Sequence, residues 1–173
     1  MPFQAGIFDL VICTEVTEHT LQTEETLSEI SRLLKPGGQC LLSFPVKSIE
    51  NIITKFSGSF LAYSGHVRQF GLDEMKNLLL KHGLKTIKVY RRYFEWSFYW
   101  LLRALIGQVP AADRRGDQYG VDVPDDQKWG KITYYYKRLW ARAVQWKIGI
   151  PFLWLGNQIF PKSYILICRK ISI

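Results

Sequence analysis

The spacing of apolar residues divides the first half of the chain into alternating strands and helices. Ile7 to Cys13 is apolar except for Asp9 and rich in β-branched residues, which is typical of a strand buried on both faces. Apolar residues then recur at helical spacing, at Leu27, Ile30, Leu33 and Leu34. Lys35-Pro36-Gly37-Gly38 predicts the end of that helix and a turn, and residues 39–44 form a second apolar strand. This order predicts a strand–helix–strand unit with parallel strands.

The same alternation continues downstream and predicts an α/β sheet. Asp73 and Glu74 open a second helix that ends at Gly83. Residues 84–90 alternate between an apolar and a more polar face, which predicts a strand near a sheet edge. Residues 163–168 are continuously apolar, which predicts an inner strand.

An aromatic, basic segment separates these last two strands. Apolar runs at 94–106, 129–147 and 150–160 predict three helices, and the Pro-, Gly- and Asp-rich residues 108–127 predict a loop. On the middle helix, Lys131, Arg138, Arg142 and Gln145 oppose an apolar face with Ile132, Tyr136, Leu139 and Ala143. We therefore expect three parts: a core at 1–90, a helical insertion at 91–162 and a final core strand at 163–173.

Charge is distributed unevenly between the two halves. Residues 1–90 hold nine Lys/Arg and nine Asp/Glu, so the net charge of +8 and all six Trp lie in residues 91–173. This asymmetry predicts an anionic partner surface. Three interpretations of the insertion stay open: helices that pack among themselves, an interfacial membrane element or lid over a lipid-like acceptor, and nucleic-acid binding. The third is disfavoured because bulky apolar residues interrupt the basic ones.

Compartment signals favour the cytoplasm. The three cysteines, an odd number, each lie in an apolar run, which predicts free thiols in a reducing compartment. The first residues lack the pattern of a signal peptide, and no run reaches 18 uncharged apolar residues. The expected localisation is cytoplasmic, with peripheral contact at the inner membrane face as an option for residues 91–162.

The order of elements resembles the C-terminal half of a class I S-adenosylmethionine-dependent methyltransferase. Four segments carry the resemblance: FDLVICTEVTEH (8–19), EISRLLKPGGQCLLSFP (29–45), GHVRQFGLDEMKNLLLKHGL (65–84) and SYILICRK (163–170). It implies a partial Rossmann-like sheet of the family's last four strands, with the final, antiparallel strand inserted between the two before it. It also implies S-adenosylmethionine as cofactor and a small or lipid-like methyl acceptor.

One family feature has no counterpart in these residues. No glycine-rich loop, which holds the amino-acid end of the cofactor in this family, precedes Ile7. We therefore expect a truncated chain (a fragment, a misassigned start or a degenerate remnant) that binds the cofactor weakly by itself. A non-catalytic remnant that serves as a membrane- or protein-interaction module is the alternative.

The resemblance also implies site residues at the ends of the first two strands. Thr14 and Glu15 would contact the cofactor. Phe44 and Pro45 would line the acceptor side together with His66, unless they merely end a strand. Glu15, His19 and His66 would polarise the acceptor.

The acidic residues after the first strand also allow a metal-assisted form of methyl transfer. If Glu15, Glu18 and His19 share one helical turn, spacings of three and four place them on one face. With His66 as a fourth ligand, the set suits Mg²⁺, Mn²⁺ or Zn²⁺. It resembles E-x-x-E-H in small-RNA 3′-end and ubiquinone-pathway methyltransferases, which implies RNA or quinone-precursor O-methylation. If no metal binds, we expect Glu18 to cap a helix or form an ion pair, and His19 to form a hydrogen bond in the cleft.

Overall fold

The computed structural model describes residues 1–105, 127–145, 147 and 149–171. Within them the strands are β1 (Phe8–Thr14), β2 (Leu34–Pro45), β3 (Leu84–Arg92) and β4 (Ser163–Lys170). The helices are α1 (Thr23–Leu33), α2 (Lys47–Phe56), α3 (Phe60–Ser64), α4 (Leu72–Lys81), α5 (Phe94–Leu105), α6 (Gln127–Gln145) and α7 (Gly149–Ile159), with a 3-10 turn at Thr17–His19. Apart from Gln127, the predicted loop at 108–127 lies outside the described residues.

The four strands form one sheet in the order β1-β2-β4-β3. β1 pairs with β2 in parallel, whereas β4 lies between β2 and β3 and is antiparallel to both. The predicted fold class is therefore confirmed, including the inner position of β4 and the edge position of β3. Helices α5 to α7 occupy the connection between these two strands.

The prediction that the first strand is buried on both faces is wrong. Val11 and Cys13 face the core beneath α1, but the alternate residues Leu10 and Ile12 are 51% and 63% exposed. Successive side chains of a strand point to opposite faces, and α1 covers only one of them. The other face of β1 is open in the part of the chain that the structure describes.

The predicted turn at Lys35–Gly38 lies inside β2 instead of before it. Leu34 pairs with Phe8 and Gln39 pairs with Leu10, so residues 35–38 bulge out opposite a single residue of β1, Asp9. The Lys35 ammonium closes the bulge with a 2.8 Å contact to the Asp9 carboxylate. Gly37 has a φ of +76°, a conformation that favours glycine. The bulge therefore belongs to the pairing of the two strands.

The main core lies between the sheet and helices α1 and α4. Its members come from all four strands and include the three cysteines, which are free thiols. Burial raises the pKa of the Cys13 thiol to about 11 and that of Cys40 to about 12. These thiols are therefore protonated at neutral pH.

A second core joins the insertion to the strand–helix unit. It consists of Val46, Ile49 and Ile53, Phe60 of α3 and Ala104 of α5. Because α5 shares this core with α2 and α3, the first helix of the insertion is anchored to the sheet domain. The division of the chain into separate parts at residues 90 and 162 stays a prediction.

Helix α6 packs by a narrower face than predicted. Tyr136 and Ala143 are half-buried, whereas Leu139 is 65% exposed. Trp140 of α6 stacks on Phe152 of α7 with 5.9 Å between ring centroids. Among the helices described, none is both long and apolar enough to cross a bilayer.

Candidate functional site

Polar side chains collect where β1 and β2 end. The 3-10 turn after β1 supplies Glu18 and His19, and α2 after β2 supplies Glu50. The segment after α3 supplies His66, whose neighbours Val67 and Arg68 donate their backbone N–H groups to the Glu18 carbonyl at 2.9 and 3.1 Å. We call Glu18, His19, Glu50 and His66 the Glu18 cluster. Its position agrees with the rule that α/β sheets bind ligands at the carboxyl ends of their strands.

Glu18 is a buried carboxylate whose two oxygens lack hydrogen-bond partners. The residue is 1% exposed, and neither oxygen finds a donor among the described residues. Burial raises its pKa to about 7, and the nearby Glu15 charge adds to that shift. A carboxyl group in this state is poised to bind a cation or to exchange a proton near neutral pH.

His66 is held by a second buried carboxylate. Its Nδ1 lies 2.5 Å from Oε1 of Glu50, and Gln69 donates to the other Glu50 oxygen at 3.3 Å. An ionised carboxylate only accepts hydrogen bonds, so Nδ1 is the donor, and in the neutral imidazole Nε2 keeps its lone pair. This pair has the geometry of an oriented general base.

His19 is oriented in the same way by the backbone. Its Nδ1 donates to the Gly65 carbonyl at 2.9 Å, and its Nε2 lies 3.9 Å from Glu18 Oε1. Gly65, which ends α3, has a φ of +70°. The His19 and His66 rings lie edge to face with 5.0 Å between centroids.

Glu15 does not share a helical turn with Glu18 and His19, which was the condition for its place in the predicted metal site. Glu15 precedes the 3-10 turn in a left-handed conformation with a φ of +52°. Its backbone N–H donates to the Ser43 carbonyl at 3.0 Å, and its carboxylate accepts from the Ser43 hydroxyl at 2.9 Å and from Lys162 at 3.3 Å. Glu15 is thereby tied to β2 and to the residue before β4, outside the Glu18 cluster.

The other predicted residues differ in their access to a ligand. Thr14 is exposed at the carboxyl end of β1. Phe44 is fully buried, with its ring near those of Phe70 and Tyr164, at centroid distances of 6.3 and 5.8 Å, and Pro45 is also buried. This placement favours a structural role for Phe44 and Pro45 over the predicted contact with an acceptor.

Two charged residues of the site were not predicted. Glu50 stands on the apolar stripe of α2, between the buried Ile49 and Ile53, and a carboxylate on such a stripe is a recognisable sequence signal. Lys162 reaches Glu15 across 147 positions of sequence, and no local pattern indicates that contact.

Three of the four predicted metal ligands do meet. One ligand atom from each of Glu18, His19 and His66 lies within 4.8 Å of the other two. Two imidazoles and a carboxylate are a donor set that Zn²⁺ and Mn²⁺ accept. The described residues therefore bring together a three-ligand candidate site without Glu15.

Comparison with known proteins supplies the family. The sequence-family model described as a methyltransferase domain matches residues 2–89 of this chain. Squalestatin tetraketide synthase clz2 of Cochliobolus lunatus is 48% identical over 40 residues, which are 23% of this chain and 2% of that protein.

Solved structures match over nearly the whole chain. A protein of Bacillus halodurans C-125 described as a methyltransferase has a TM-score of 0.53 and 17% identity, and the match covers 99% of this chain and 68% of that one. Geranyl diphosphate methyltransferase in complex with SAM has a TM-score of 0.53 and 10% identity, over 99% of this chain and 54% of that one. At such identities the likeness shows the fold alone. The chain spans between about half and two thirds of the length of these structures.

The match to the methyltransferase domain model and the strand order identify a class I S-adenosylmethionine-dependent methyltransferase fold. With a family model that covers half of its residues, the chain belongs to the methyltransferase domain family.

Proposed function

We propose that this chain provides the acceptor side of an S-adenosylmethionine-dependent methyl transfer, with His66 as the base. The observation that carries the proposal is the 2.5 Å contact between His66 Nδ1 and Glu50 in a methyltransferase domain. It lies beside the buried Glu18 carboxylate, which has no hydrogen-bond partner among the described residues. Glu50 fixes the tautomer of His66 and would stabilise the imidazolium. His66 Nε2 would then accept the proton that an O–H or N–H acceptor releases.

The residues after β1 fit one side of a cofactor site. Thr17 Oγ1 and both Glu18 oxygens are buried without hydrogen-bond partners among the described residues, and such atoms are typical of places where a ligand binds. We propose that Thr14 and Glu15 hold S-adenosylmethionine there, which would supply the methyl group when bound. Lys162 and Ser43 keep Glu15 in place for that contact.

We propose a small or lipid-like acceptor. Helix α3, which leads into His66, packs the half-buried Tyr63 against the half-buried Trp100 of α5 at a ring-centroid distance of 5.8 Å. An aromatic wall next to a general base suits an apolar molecule with one nucleophilic group. The comparisons with known proteins favour such an enzyme over a non-catalytic interaction module.

The test is methyl transfer by the native gene product, tagged at its carboxyl terminus so that any preceding sequence is retained. We expect label from S-adenosyl-L-[methyl-³H]methionine to enter organic-soluble or small water-soluble acceptors of a cell extract. Absence of label in both fractions, from a protein that binds S-adenosylmethionine by calorimetry, would contradict the base assigned to His66. If the protein also failed to bind S-adenosylmethionine, the proposal that it is a methyltransferase would be contradicted.

A divalent metal at Glu18, His19 and His66 is the second candidate, and it rests on geometry alone. Both histidines donate Nδ1–H to an oxygen, an orientation that metal-bound histidines commonly have. A metal there would lower the pKa of an acceptor hydroxyl, as metal-assisted O-methylation of an RNA or a quinone precursor requires.

The metal proposal predicts stabilisation by Mn²⁺ or Zn²⁺. At about 100 times its dissociation constant, a bound ion adds about 2.7 kcal/mol to the free energy of unfolding, so the melting temperature should rise by several degrees. His19→Ala should abolish the rise, and His82→Ala, outside the cluster, should keep it. An equal response of both variants would exclude the site.

A further inference from the structure

Helix α7 presents an apolar surface to solvent. Four of its eleven residues are large, apolar and between 49% and 71% exposed, and are not part of its packing against Phe94 and Trp140. We call them the α7 patch: Ile150, Trp154, Leu155 and Ile159. The helix contains no charged residue. Soluble proteins rarely expose a contiguous surface of this kind unless it binds something.

The opposite face of α7 fixes the patch in its outward orientation. A Cβ atom at Gly156 would lie 2.4 Å from the Phe94 ring, so only glycine allows this close approach of α7 to α5. Asn157 Oδ1 accepts the backbone N–H of Phe94 at 2.9 Å. Gly156 and Asn157 lie on the inward side, whereas Trp154 and Leu155 are 63% and 50% exposed.

Exposed basic residues flank the patch. Residues 127–162, which include α6 and α7, contain seven Lys/Arg and no Asp/Glu. Arg138 and Arg142 of α6 and Lys147, just before α7, are all exposed. An apolar helix with an exposed Trp and flanking cations is the composition of an element that lies in the interface of an anionic bilayer.

We propose that the α7 patch docks on a membrane surface that contains anionic lipids, with α7 parallel to the bilayer plane. The patch would enter the boundary between headgroups and acyl chains, and Arg138, Arg142 and Lys147 would contact lipid phosphates. Charge argues against a second copy of this chain as the occupant, since two like basic regions would repel each other. The inference does not depend on methyl transfer.

Co-sedimentation with vesicles tests this docking. The protein should bind vesicles of phosphatidylcholine with phosphatidylglycerol, and salt should weaken the binding. Trp154→Glu with Leu155→Glu should reduce the affinity about tenfold or more, because two buried apolar side chains are lost. Leu80→Glu is the matched control, since Leu80 of α4 is exposed to a similar extent, and its affinity should not change.

A charge variant separates the electrostatic contribution. Replacing Arg138 and Arg142 by glutamine should weaken binding to the anionic vesicles by about fivefold per residue, and the salt dependence should decrease. The proposal is overturned if the wild-type protein does not sediment with anionic vesicles, or if Trp154→Glu with Leu155→Glu binds as well as Leu80→Glu. It is also overturned if light scattering shows a dimer that this double substitution dissociates while vesicle binding is absent.

Discussion

Replacing Glu18 by glutamine should raise the free energy of unfolding by about 3 kcal/mol at pH 8. The pKa of the buried carboxyl is raised from 4.5 to about 7, so the folded protein above pH 7 carries a charge in an unfavourable place. Glutamine has nearly the same shape and cannot ionise. Chemical denaturation of both proteins, in a chelating buffer, measures the difference.

The pH dependence identifies the cause of this effect. Below pH 4.5 the carboxyl is protonated in both the folded and the unfolded state, so the advantage of the variant should vanish. Between pH 4.5 and about 7 only the unfolded state ionises, and the stability of the wild-type protein should fall as pH rises. The exposed Glu25→Gln is the control, with an expected change within about 0.5 kcal/mol. An advantage that is independent of pH would contradict this assignment.

Replacing His66 by alanine should lower the turnover number of methyl transfer by about 10²–10⁴-fold, the usual contribution of a general base. The loss should appear in kcat more than in KM, since the base acts as the methyl group is transferred. His82→Ala is the matched control because His82 pairs with Glu24, outside the Glu18 cluster, and it should retain the wild-type rate.

Glu50→Gln tests whether the carboxylate acts through His66. The variant keeps the shape of the side chain but removes the carboxylate that orients His66, so kcat should fall while KM stays close to the wild-type value. An unchanged kcat would assign Glu50 a purely structural role. A His66→Ala enzyme with full activity would leave the cluster without a base.

The apolar pattern of the sequence predicts the sheet better than it predicts the exposure of its strands. Continuous apolarity correctly indicates the inner position of β4. The same pattern in β1 indicates burial on two faces, yet Leu10 and Ile12 are exposed. The apolar pattern indicates which side chains favour burial, whereas their actual burial depends on which elements pack against the strand.

The candidate site is only partly predictable because backbone conformation and distant contacts decide it. Glu18, His19 and His66 meet, as the resemblance implies, but the left-handed φ of Glu15 turns that residue away, and no composition rule indicates such a turn at a glutamate. The apolar pattern around Glu50 does not decide between a helix and a loop, so the sequence does not place its carboxylate beside His66. Its burial beside His66 depends on how α2 and α3 pack.

The reactivity of the three buried cysteine thiols can be used to measure local unfolding of the sheet. Cys13, Cys40 and Cys168 stand on three different strands, at most 8% exposed, and Cys40 faces Cys168 in the register of β2 and β4. Only the thiolate reacts readily with an alkylating agent, and burial suppresses it here. Each alkylation therefore requires a strand of the sheet to open. The order in which the three sites become labelled would rank the local opening free energies across the sheet without an engineered probe.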